Sequence, residues 1–296
     1  MEKKEKINDK NKIYSSVQVI ENPKNIFLFE LGFFILAQIL GIFSALRISE
    51  ILKLEKISLK PVSFWDFIVG FTFATLLILL LIRLLKFKTG KSFLFRGLFV
   101  LAISFGSFLF FSIWIGDFLA LILLAILIFL WLKKPNILIH DFLLLSGIVG
   151  IGSIFGLRLE PQTVILFLVL FSIYDFIAVY KTKHMIEIAR EMVETKAILG
   201  LILPSRTSDF KVSLKEVSPG GKFLILGGGD IIFPLILCVS IVSQGILKSL
   251  IVALFAAVGL FFSFWFFISQ KVRKPIPALP PVALFSIIGY LITRLI

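Results

Sequence analysis

Nine apolar runs divide this chain of 296 residues. They fall at 26–46, 64–82, 93–115, 118–132, 137–157, 163–180, 223–243, 246–268 and 276–296. A helix of about 20 residues crosses the roughly 30 Å of bilayer hydrocarbon. Most of the runs reach that length; 118–132 is short, and only Gly116 and Asp117 part it from the run before. The chain is 58% hydrophobic and 17% charged, with a mean hydropathy of +1.04. A soluble domain carries about 25% charged residues, so a soluble globular enzyme is excluded. The 34 Phe and the lone Cys238 exclude disorder and a disulfide scaffold. An all-α polytopic membrane protein with nine transmembrane helices is expected. The first 25 residues are polar and Lys-rich, so no cleavable signal peptide is expected and the first run stays in the protein.

The net charge of +13 does not point to nucleic acid in such a chain, because Lys and Arg collect in cytoplasmic loops. Of the 31 Lys and Arg, 24 lie on one set of alternating flanks and seven on the other. That asymmetry predicts a cytoplasmic N-terminus and a C-terminus outside. Residues 1–25 read as a basic cytoplasmic tail, resting on anionic lipid or simply solvated. Residues 26–160 hold spans one to five. Residues 161–296 hold spans six to nine and the one long internal loop, 181–222. Within that loop, 185–199 has the period of an amphipathic helix. The alternation of Phe210, Val212 and Leu214 with Lys211, Ser213 and Lys215 predicts a short strand. Residues 218–221, Ser-Pro-Gly-Gly, predict a turn into the seventh span.

Carboxylates inside lipid are costly, so each needs a reason. Glu30 and Asp66 stand near span ends and Asp117 in a turn, which predicts interfacial solvation for all three. Asp175 and Asp230 stand deeper. Counted at 1.5 Å per residue, Asp175 is about 9 Å from Lys181 and Asp230 about 12 Å from Lys222. Both then lie in the cytoplasmic half, on consecutive spans. Gly227, Gly228 and Gly229 precede Asp230; they allow close backbone approach or form a packing notch. Pro234 has no N–H for the Asp230 carbonyl, which loosens the helix at the acid. The ninth run opens with Pro275, Pro277, Pro280 and Pro281. These form either an entry turn or irregular backbone facing a cavity. Leu279, about 8 Å past Lys274, reaches the depth of both aspartates.

Tyr174-Asp175 in the sixth run, Gly227-Gly228-Gly229-Asp230 in the seventh and Pro277-Ala278-Leu279 at the start of the ninth resemble the presenilin and signal peptide peptidase family of intramembrane aspartyl proteases. Its patterns are Tyr-Asp, Gly-x-Gly-Asp and Pro-Ala-Leu, in that order. The resemblance covers the whole membrane part and is strongest from 161 to 281. It implies that Asp175 and Asp230 are catalytic. It implies that Tyr174, Gly227, Gly228, Gly229, Pro277, Ala278, Leu279 and Pro280 shape the site and receive substrate. The orientation and Pro280 are presenilin-like, whereas 229–234 is closer to signal peptide peptidase, so a microbial homologue in a prokaryotic cell membrane is expected. The long loop of animal presenilins is missing, and no dependence on autoproteolysis or accessory subunits is expected. Substrates would be transmembrane proteins, peptides or signal-peptide remnants.

Two adjacent carboxylates share a proton, so one takes a proton from water while the other donates to the peptide carbonyl. That route needs no metal or cofactor. An extended substrate would add as a strand, with 210–214 and 277–280 as edges. Deleting 210–214 is then expected to cripple cleavage and leave the fold intact. A zinc protease would need His-Glu-x-x-His, but His140 and His184 are far apart. Ser153 lacks a histidine and reads as helix packing, and Cys238 as a buried small residue. The rival function is a proton- or cation-coupled transporter using the same aspartates.

Overall fold

Caps and breakers place the helix ends. Pro23 and Pro161 each open a helix, where a missing N–H costs nothing. Asn136 caps another by accepting from Ile139 N at 2.9 Å. Gly116, at φ +80°, breaks the chain between the third and fourth runs. The computed structural model describes residues 21–84, 88–181, 192, 195, 197–217, 222–270 and 275–296. Among these residues nine helices follow the nine runs in order. They are α1 Pro23–Leu54, α2 Phe64–Leu84, α3 Lys88–Ile115, α4 Asp117–Lys133, α5 Ile137–Arg158, α6 Pro161–Phe176, α7 Gly228–Ser240, α8 Ile246–Ile268 and α9 Leu279–Thr293.

Five of the described helices are long and apolar enough to cross a membrane: α1, the 96–115 part of α3, α5, α6 continued to Lys181, and α8. The helices of runs seven and nine are shorter because those runs begin in extended or irregular backbone. Large apolar side chains face outward, such as Trp65 at 71% and Phe118 at 76% exposure. Lipid, not water, solvates such a surface.

The most enclosed helix is α5, which packs on α1, α3 and α7. Small residues let it in. A Cβ on Gly106 of α3 would stand 2.6 Å from Gly147 O, and one on Gly152 would stand 2.7 Å from Leu235 Cδ2 of α7. Ser153 is buried and donates to Val149 O at 2.7 Å, so it is a packing residue as expected. Cys238 is likewise buried and free.

The strand prediction at 210–214 is wrong. Thr207–Lys211 is a 3-10 turn, and Ser213 makes only an isolated bridge to Asn136. Its apolar residues alternate because they dock on helices: Phe210 meets the rings of Phe29 and Phe33 at 5.2 and 5.9 Å, and Leu214 is buried. Deleting 210–214 would therefore damage the fold. The strands are β1 Gly200–Pro204 and β2 Phe223–Gly227, antiparallel, with Gly200 opposite Gly227 and Ile202 opposite Ile225. The seventh run thus opens as a strand and turns helical only at Gly228. Gly200 is required here, since a Cβ would stand 2.6 Å from Leu226 O.

The far edge of β1 is closed by side chains of α5. Asp141 Oδ1 accepts from Ile202 N at 2.9 Å, and His140 Nε2 faces Gly200 O at 3.3 Å. Both side chains are buried. The tail through residue 20, most of the amphipathic stretch 185–199, His184 and the turn 218–221 lie outside the described residues; 197–199 is non-helical and leads into β1.

Two stability outcomes follow from these contacts. Asp141→Ala strands the Ile202 N–H and costs about 1–3 kcal/mol, while Asp141→Asn keeps an acceptor and costs less. Gly106→Ala overpacks the α3–α5 contact by about 1–3 kcal/mol. Gly32→Ala is the control, since a Cβ there meets nothing within 4 Å. Thermal unfolding of the detergent-purified protein measures all four.

Candidate active site

The glycines before Asp230 lie at a helix start and not in a helix interior. Gly227 is the N-cap of α7, Gly228 and Gly229 are its first two residues, and Asp230 is its third. A side chain at that third position reaches back to the N-cap N–H, half of a capping box. The Asp230 carboxyl does so, bonding the Gly227 backbone. Gly227 has to be glycine for this: a Cβ would stand 2.9 Å from Asp230 Oδ2. Gly228 N donates to Leu199 O at 3.0 Å, which ties α7 to the residue before β1. Gly229 is exposed, 3.7 Å from the Phe233 ring when given a Cβ. Pro234 is accommodated inside α7, which stays helical through it.

Asp175 is the second-last residue of α6 before a π-helical turn, Ile177–Lys181. π turns are rare and recur at functional sites. Phe171, one turn before Asp175, stacks on Phe233, one turn after Asp230, with centroids 4.5 Å apart. That contact sets α6 against α7. Tyr174 is 57% exposed. It lines an apolar groove of about 260 Å³ with Phe67, Ile68, Phe167, Leu170 and Phe171.

The prolines of the last run form an entry segment. Pro275 to Pro277 are irregular, Ala278 is the N-cap, and α9 begins at Leu279 with Pro280 and Pro281 in its first turn. Prolines there forgo N–H groups that have no partner in a helix anyway. The Leu279 N–H is such an orphan, and it bonds the Asp175 carboxyl. Pro277 and Leu279 are buried. Asp175, Asp230, Gly227 and Leu279 thus come together. The two aspartates stand close enough for their charges to act on one another. Among the described residues no group of three His, Cys, Asp or Glu is placed to hold a metal ion.

Asp66 and Asp117 are both exposed, which interfacial solvation requires. Asp117 opens α4, with Ser112 Oγ donating to it. Glu30 is different. It is 5% exposed, two turns into α1, and the charge of Asp230 acts on it. Position near the end of a run misled; the face it occupies is the better signal. Glu30, Phe34, Gln38 and Ile42 recur every fourth residue, and all are buried.

Solved structures share this fold. One presenilin family intramembrane aspartate protease, in space group C222, aligns with a TM-score of 0.63 at 22% identity, over 91% of this chain and 99% of that one. Another, in space group P2, aligns with a TM-score of 0.57 at 23% identity, over 88% of this chain and 96% of that one. No curated protein sequence matches the chain. The family described as signal-peptide peptidase, presenilin aspartyl protease matches residues 31–296. With five apolar helices of membrane-crossing length among the described residues, the chain belongs to this family of intramembrane aspartyl proteases and is an integral, multi-pass membrane protein.

Proposed function

We propose that this protease hydrolyses peptide bonds within transmembrane segments, or within signal-peptide remnants, using Asp175 and Asp230 as its two catalytic acids. The observation that carries this reading is the meeting of both carboxyls at two helix starts, one bonded to the Leu279 backbone and one to the Gly227 backbone. The pair holds one proton between its two carboxyls. The ionised member takes a proton from a water molecule as the water oxygen attacks the peptide carbonyl carbon. The protonated member gives its proton to the carbonyl oxygen, forming a gem-diol. As the C–N bond breaks, the protonated member gives its proton to the nitrogen and the ionised member takes one from a gem-diol hydroxyl, so the pair again holds one. Released are a carboxylic acid and an amine.

Substrate unwinds to expose the scissile carbonyl and adds as a strand. The edge for this is β2, not 210–214. Lys222 O and Gly228 N both point toward the β1 side, at Ser205 N and Leu199 O. By alternation, Phe223, Ile225 and Gly227 turn their backbone groups away from β1. That edge leads straight to Asp230. Pro277, Ala278 and Pro280 hold Leu279 at Asp175 and form the facing wall. Tyr174 and the groove beside it contact apolar substrate side chains, and Gly228 and Gly229 keep the approach to Asp230 narrow.

In this reading residues 161–296 are the catalytic part, with the basic tail and spans one to five as its support. The 24-to-7 charge bias supports nine spans, a cytoplasmic N-terminus, an external C-terminus and a site open toward the cytoplasm of a prokaryotic cell membrane. The chain works without accessory subunits or nucleic acid.

The test is purified protein with a labelled transmembrane peptide. Asp175→Ala and Asp230→Ala each lower cleavage by about 10³-fold or more. Cleavage surviving either change, or proton flux without cleavage, overturns the assignment. Gly227→Ala pushes on Asp230 Oδ2 and lowers kcat by about 10- to 100-fold with the protein still folded. Wild-type kcat in that variant would show that the close approach is immaterial.

A further inference from the structure

Glu30 has no place in the two-aspartate chemistry, yet the fold takes it out of both lipid and water. Its Oε2 is fully buried with no hydrogen-bond partner. An unpartnered buried carboxyl is expensive and asks for an explanation. Polar contacts on either side locate it. Before it on α1, Asn25 Nδ2 donates to Ser205 O at 3.2 Å, just past the end of β1. After it, Gln38 Nε2 donates to Ile231 O at 3.3 Å, next to Asp230. Farther along, Gly41 receives Leu235 of α7. Contacts that advance together along both helices make α1 and α7 run parallel, with Glu30 opposite the junction of β2 and α7. That junction carries Asp230.

We propose that Glu30 is a positioning residue for the aspartate pair. Its carboxyl, brought to Asp230 by the docking of α1 on α7, shares the burden of negative charge with it, so that the protons of the site are divided among three carboxyls and not two. Like charges in a buried site cannot all be present together, and their titrations belong to the group as a whole. Among the described residues Asp230 is the charged group that acts on Glu30. The other titratable groups described on elements packed against α1 are engaged elsewhere or face outward. On the turn whose Phe210 meets Phe29 and Phe33, Arg206 faces Glu21 at 4.0 Å, Asp209 accepts from Ser208 Oγ at 3.1 Å and Lys211 is exposed. His140 and Asp141 of α5 hold β1. Lys248 of α8 donates to Thr293 O at 2.9 Å, and Arg96 of α3 stands over the Trp131 ring at 5.7 Å.

This inference rests on the two-aspartate reading, and its test separates the two. Full-length protein in detergent is assayed with the labelled transmembrane peptide from pH 4 to 9, roughly the range in which coupled carboxyls titrate. Glu30→Gln keeps shape and loses the acid; Glu30→Asp keeps the acid. In Glu30→Gln, kcat is expected to fall about tenfold with KM within about twofold, and the pH–rate profile to move by about half a unit or more. Glu30→Asp recovers the wild-type profile. If Asp175→Ala and Asp230→Ala are inactive but Glu30→Gln matches wild type in kcat and profile, Glu30 is a packing residue and the proposal fails. If the aspartate variants stay active, the two-aspartate reading fails first. Should Glu30→Gln not fold, the carboxyl infrared bands of wild type and Asp230→Asn decide. The proposal requires the remaining Glu30 band to shift when Asp230 is replaced; an unmoved band overturns it.

Discussion

A helix that begins inside a bilayer leaves N–H groups with no water to bond. Every other feature of this site follows from how two such beginnings, those of α7 and α9, are satisfied. Two carboxylates do it: Asp230 reaches back to the Gly227 N–H, and Asp175 crosses from α6 to the Leu279 N–H. The positive ends of two helix dipoles therefore converge on the acids. The glycines and prolines around them are the residue types such starts demand. Glycine gives Asp230 room, and prolines occupy first-turn positions that need no N–H. A buried acid and a buried helix start are each unfavourable alone; paired, each offsets part of the other's penalty.

The sheet serves the same end at the entry to α7. Two five-residue strands would not persist unaided in water. Here β1 is held on one edge by β2 and on the other by Asp141 and His140. Asn136, at the start of α5, also bridges to Ser213. The rigid reference for the start of α7 is therefore α5, the most buried helix, whose glycines let α3 and α7 come close. Closing one edge of β1 leaves the sheet with a single direction in which to grow.

Much of this was legible in the sequence, though by a partly mistaken route. Asp175 and Asp230 stood out because acids in apolar runs need reasons, and the order of the three motifs named the family. The depth arithmetic assumed helix throughout. In fact 223–227 is extended and 275–278 irregular, so the rise per residue was wrong there, although the two carboxyls still come within electrostatic reach. Gly200–Pro204 is short, apolar and buried on every residue, so it carries no alternation to betray a strand. The alternation at 210–214 came from docking on α1 and α5. Glu30 was masked by its place in the chain: it stood near the end of an apolar run counted from residue 26, whereas α1 opens at Pro23 and turns that residue inward.

The π turn after Asp175 has one more consequence. A π turn holds one residue more than the α-helix would use, so it works as a register shifter. Each residue of an α-helix turns the chain by about 100°, so the extra one changes the direction in which the chain stands at Lys181 without rotating Asp175. A change of register on the far side can be absorbed within Ile177–Lys181, before it reaches the second-last residue of α6, Asp175.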